Sequence, residues 1–154
     1  MRKLPWAVAV AVTLLVGFAL SGCSGTITTT TGAGGTGPGT SAVGGDAGFA
    51  RAFADRSEGL ELEGRGTVIK LLTDDTEGDR HQRFIVRLDS GQTLLISHNI
   101  DVAPRVDGLQ VGDVVSFKGE YVWNVQGGLL HWTHHDPMGS HPGGWLRRGD
   151  RTYQ

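Results

Sequence analysis

The chain has 154 residues, a formal net charge of −2 and a single cysteine. That length has room for one domain, and one cysteine excludes a disulfide framework within the chain. A mildly acidic balance argues against nucleic acid as a partner, because tracking a phosphate backbone requires a basic surface.

Arg2 and Lys3 form a short basic start, followed by the uncharged apolar run Trp6 to Leu20 (WAVAVAVTLLVGFAL). The run is shorter than the roughly 20 residues that a spanning helix needs and matches the apolar region of a signal peptide. "LSGC", Leu20 to Cys23, resembles the lipobox of bacterial lipoproteins. The resemblance implies cleavage after residue 22 and acylation of Cys23, with the membrane as partner through that anchor. Multiple acyl chains give stable anchoring where one is marginal. The expected location is therefore extracytoplasmic, in the periplasm or at the outer membrane if the cell is Gram-negative. Losing residues 1–22 also takes the net charge to −4.

Residues 23–48 follow as the acylated cysteine and a tether of Gly, Thr, Ser and Ala. Only Ile27 and Val43 are sizeable apolar residues, so the segment cannot bury a core. Its r.m.s. span is about 25–30 Å, enough to stand a domain off a membrane. The domain is expected over residues 49–154.

"FARAFADRSEG" predicts a short helix from Phe49, with Phe49, Ala52 and Phe53 on one face and Gly59 as its stop. From Leu60 the pattern is β. "ELEGRGTVIKLL" is the first strand and "TDDTEGD" an acidic turn. In "RFIVRL", Phe84, Val86 and Leu88 share one face, and Arg83, Ile85 and Arg87 the other. "DSGQ" is a hairpin connection into "TLLISH", which places Leu94, Ile96 and His98 on one face. The non-periodic "NIDVAPRVDGLQ" precedes "VGDVVSFKGEYVW", with Val115, Phe117, Tyr121 and Trp123 aligned. "NVQGG" turns into "LLHWT". The tail "GGWLRRGDRTYQ" shows no clear period and reads as solvated, its "RGD" a chance tripeptide. Gly66 and Gly119 read as bends or bulges.

Five strands with a long connection between the third and fourth predict an all-β fold. The expected architecture is a small five-stranded OB-like barrel with a short N-terminal helix, an SH3-like barrel being the alternative.

"HWTHHDPMGSH", His131 to His141, holds four of the six histidines. A strand running through His135 would hold it about 13 Å from His131. One ion with bonds of about 2.0–2.1 Å could not take both. Pro137 disfavours helix at Asp136. The candidate ligands therefore fall after the strand: His134 or His135, Asp136 and His141, joined by His98 from the end of the third strand. Such a set suits a divalent transition metal such as zinc. The competing reading is structural. Histidines beside tryptophans brace loops through backbone carbonyls, and aspartate before proline starts turns. Ser97 and His98 point to opposite faces of a strand, so no Ser–His pair forms there.

"HQRFIVRL", "GQTLLISHNIDVAPR", "GDVVSFKGEYVWN" and "GGLLHWTHHDP" together resemble a family of small exported bacterial proteins known only as a domain of unknown function. The resemblance spans about residues 64–154. A second resemblance is to exported OB-fold nucleases of the staphylococcal type, through Asp74 or Asp75, Arg87 and "IDVAPR". Arg105 stands where those enzymes carry a glutamate. Two functions follow as expectations. One is an anchored binding or accessory module for a small molecule, glycan or protein. The other is a metal-dependent hydrolase of phosphodiesters.

Overall fold

The computed structural model describes residues 44–154. The expected signal peptide, Cys23 and most of the expected tether lie outside the described residues. Helix α1 spans Asp46–Ala54. The strands are β1 (Glu58–Leu71), β2 (His81–Arg87), β3 (Thr93–Asn99), β4 (Val114–Val122), β5 (Leu129–His131), β6 (Trp145–Arg148) and β7 (Arg151–Tyr153).

The first five strands close into the expected OB-like barrel, in the order β1-β2-β3-β5-β4 with β4 returning to β1. One strand can serve two neighbours because β1 is 14 residues long. Its first part, Glu58 to Thr67, pairs with β4, and its last part, Thr67 to Leu71, pairs with β2. A register shift between Val68 and Lys70 supplies the bend. β3 and β5 run parallel, Leu95 opposite Leu129, and complete the circle.

Side-chain alternation explains the core. Phe84, Val86 and Leu88 of the β2 region, Leu94, Ile96 and His98 of β3, and Val115, Phe117 and Tyr121 of β4 are all buried. Helix α1 closes one opening of the barrel with Phe49, whose ring meets Phe117 and Tyr121 edge-on at 5.9 and 6.0 Å. Gly64 makes that seat. A Cβ there would come within 2.7 Å of the Phe49 ring.

Several local expectations are corrected. The helix begins at Asp46, inside the Gly-rich stretch, where Asp46 accepts a hydrogen bond from the Ser90 N–H. It ends at Ala54, well before Gly59. Arg56 takes the left-handed conformation (φ 51°), and the Ser57 N–H bonds back to the Ala52 carbonyl. Phe53 leaves the core and stacks on Trp123. Gly66 and Gly119 are not bulges, since both sit in regular register with β4 and β1. Gly119 permits a close approach instead. A Cβ there would lie 2.3 Å from the His131 carbonyl oxygen. The tail is a hairpin: β6 pairs with β4 and β7 with β6, burying Leu146 and Tyr153.

Candidate functional site

β5 is only three residues long because the chain turns sharply at Trp132, which adopts φ 49°. The following loop packs its own rings. Trp132 is stacked between His131 (4.9 Å) and His141 (4.3 Å), and His134 meets His141 edge-to-face at 5.1 Å. The His131 Nε2 stands 3.0 Å from a Glu120 carboxylate oxygen.

The candidate ligands are mostly engaged within the protein. Asp136 accepts the Met138 N–H on one oxygen, and the Ser140 hydroxyl and His141 N–H on the other. These donors, the His141 N–H foremost, hold its carboxyl well below the usual carboxylate range. His134 and His141 each donate from Nδ1 to a backbone carbonyl, of His135 and Pro142 respectively, at 2.8 Å. His135 is exposed. Among the described residues, no three His, Cys, Asp or Glu side chains stand where one ion could be held.

His98 is fully buried, and both its ring nitrogens are bonded. The Nε2 lies 3.0 Å from the Pro104 carbonyl, which can only accept, so Nε2 carries the hydrogen. The Thr133 hydroxyl, 2.9 Å away, then donates to Nδ1. Burial, with His134 adding a smaller push, brings the imidazole pKa down to about 4 against the favourable bond to Pro104. Beside it across the β2–β3 ladder stands Gln82. The Gln82 amide donates to the Val106 carbonyl and accepts the Val106 N–H, at 3.1 and 2.9 Å. His98 and Gln82 thus fix the long β3–β4 connection to the barrel, and Thr133 ties the histidine loop to the same point. A metal at His98 would have to displace one of these bonds.

The nuclease-like carboxylates are also paired. Asp74 makes a two-point contact with Arg105, whose guanidinium lowers its pKa, and Asp75 lies 3.4 Å from Arg83. Arg105, standing where those nucleases carry a glutamate, is the partner of Asp74 rather than a base.

A different surface has the form of a binding site. The register aligns Ile85 of β2, Leu95 of β3, Leu129 of β5 and Val122 of β4 in one row on the outside of the barrel. All four are half-buried. Over β2 and β3 lies a groove of about 290 Å³, floored by Ile85 and Leu95 and walled by Leu72 on one side and Asn124 and Gln126 on the other. Its rim is held in place. The Thr93 hydroxyl donates to the Gln126 carbonyl, the Gln92 amide to the Gly127 carbonyl, and the Asn124 side chain accepts the N–H groups of Gln126 and Gly128. In sequence, Ile85 lies between Arg83 and Arg87 on the outward parity, an apolar residue among polar ones. Leu95 sits likewise between Thr93 and Ser97.

No curated protein matches the chain. The family model described as "protein of unknown function (DUF3465)" matches residues 38–154. Barrel, groove and histidine loop all fall within that span, and the chain belongs to the DUF3465 family.

Proposed function

We propose that this protein is a lipid-anchored extracytoplasmic binding module whose ligand lies in the groove over β2 and β3. The observation that carries the reading is the groove's lining. Its floor is aliphatic, its rim is amide and hydroxyl, and none of its residues is titratable. General acid–base chemistry needs a positioned proton donor or acceptor, and the groove has none to offer. An uncharged ligand with one apolar face, a sugar oligomer or a short peptide segment, suits that lining. In OB-like barrels the face of the second and third strands, with its flanking loops, is the usual ligand surface. The anchor rests on "LSGC" at Leu20 to Cys23 and on the tether after it.

Leu95→Glu tests the groove. It sets a charge on the apolar floor, so binding of uncharged oligosaccharides or blocked apolar tripeptides should fall at least about tenfold. The melting temperature should change little, because Leu95 is only half-buried. The probe panel is followed by chemical shifts at Ile85, Leu95 and Gln126. A panel member bound equally by the variant, or perturbing only residues 131–141, would place the ligand elsewhere.

Anchoring is tested separately. Cys23→Ala should abolish acyl labelling and leave uncleaved precursor in cells fed a labelled fatty acid. Equal labelling of variant and wild type would remove the lipoprotein reading.

A further inference from the structure

The outer face of β1, β4 and β6 carries a second feature, remote in the strand ladder from the β2–β3 groove. Arg65 of β1 is the register partner of Ser116 of β4, and Ser116 is the register partner of Arg147 of β6. The three side chains therefore stand in one row across adjacent strands. Strand spacing of about 4.8 Å puts the two arginine backbones about 10 Å apart, with the serine hydroxyl midway. Two guanidinium groups on stems of that length can meet above the serine. A depression of about 260 Å³ lies there, lined by Arg65, Val114, Ser116, Arg147 and Gly149.

Two of the neighbouring cations are neutralised, while Arg65 and Arg147 are not. Lys118 pairs with Glu61 at 3.5 Å, and Arg148 pairs with Asp113 at 2.9 Å. Among the described residues, neither Arg65 nor Arg147 has a carboxylate within 4.0 Å. Arg147 is also oriented. Its guanidinium lies 4.8 Å over the Trp145 ring, and its Nε donates to the Thr152 hydroxyl at 3.3 Å. Among the described residues, neither terminal nitrogen of Arg147 has a hydrogen-bond partner. On a protein of net negative charge, two unpaired forks flanking a hydroxyl form an anion site.

We infer that Arg65, Ser116 and Arg147 bind a tetrahedral oxyanion of the phosphate class. A planar carboxylate has two oxygens and satisfies one guanidinium fork. A phosphoryl group can present a pair of oxygens to each fork, with an edge left for the serine hydroxyl. Phosphate should therefore bind more tightly than acetate, and sulfate should compete with it. Related groups reach a membrane-proximal protein in two forms, free phosphoryl compounds with three or four unesterified oxygens and phospholipid headgroups, diesters whose two unesterified oxygens supply one to each fork.

The experiment uses the full chain in neutral detergent with inorganic phosphate as the probe, following the arginine side-chain N–H resonances. Arg65 and Arg147 should shift together and saturate. Acetate should bind at least about tenfold more weakly. Arg65→Gln and Arg147→Gln should each weaken phosphate binding about tenfold, since each removes a charge-assisted contact. The surface position of both arginines predicts unchanged melting. Should either variant fold poorly, Arg65→Lys and Arg147→Lys keep the charge but lose the fork, and should still weaken binding. A second arm replaces phosphate with nanodiscs of phosphatidylglycerol or phosphatidylcholine. A phosphatidylglycerol preference lost in the Gln variants identifies a lipid headgroup. Phosphate binding without that preference identifies a free phosphoryl ligand. Wild-type arginine resonances unmoved by millimolar phosphate, or Gln variants that bind as wild type, would overturn the assignment.

Discussion

Phe117→Lys should leave the domain without a cooperative unfolding transition at 25 °C. Phe117 lies in the middle of β4, fully buried, with Gly64 of β1 and Leu146 of β6 as its register partners. Its ring meets Phe49 edge-on, so it joins helix α1 to the barrel interior. Truncating a buried phenylalanine already costs about 3–5 kcal/mol. The lysine adds the desolvation of a charge with no partner within reach, several kcal/mol more. A domain of this size has about 5–15 kcal/mol in total. Urea titration followed by circular dichroism and tryptophan fluorescence reads the outcome. A soluble Phe117→Lys protein with near wild-type stability would mean that this face of β4 is not the core.

The alternation that identifies Phe117 was plain in the sequence, as was the same pattern in β2 and β3. Each of those strands is seven or nine residues long, enough for a period of two to be visible. β6 and β7 have four and three residues, too few to show a period, and they read as tail. The start of α1 was hidden because its first turn is Asp-Ala-Gly, continuous in composition with the tether. The helix stop was misplaced because Arg56, not a glycine, takes the left-handed position.

The candidate site was legible in a different measure. Composition drew attention to His131–His141, but composition does not say which imidazole nitrogens are already bonded. His98 was placed correctly on the inward parity. Its partners Thr133 and Pro104 come from loops, the former 35 residues away, and only the closed barrel brings them to the ring. The groove depends on register even more. An isolated outward Ile85 or Leu95 is ordinary on a protein surface. It becomes a floor only when the ladder sets Ile85 opposite Leu95 and Leu95 opposite Leu129. Arg65 and Arg147 likewise become neighbours of one serine only through two registers.

His98 should make the domain acid-sensitive in a defined window. Its pKa is about 4 in the folded protein and about 6.5 when exposed in the unfolded chain. Between those values the unfolded chain binds a proton that the folded protein does not, so stability must fall as pH drops. Above about pH 7 both states are neutral at this residue and its contribution is constant. The loss begins near pH 6.5, deepens steadily, and is complete once pH passes below about 4. Its full extent is about 3 kcal/mol. Asp74 and Asp136 are also depressed in the folded protein, so they too lose stabilisation as pH falls, but only from the ordinary carboxylate range downward. The two effects therefore separate along the pH axis. Protonation would also take the acceptor at Nδ1 from the Thr133 hydroxyl, so the first part to loosen should be the loop after β5 and the connection at Pro104. Urea unfolding at intervals from pH 7.5 to 4.5 should show the decline in wild type. His98→Asn removes the titrating group, and its lower stability should be nearly flat across the same interval. The ring resonances of His98 in wild type should stay at their neutral positions down to about pH 5. A His98 ring that titrates at the ordinary imidazole value of about 6.5 would mean that the bonds to Thr133 and Pro104 do not hold it buried and neutral.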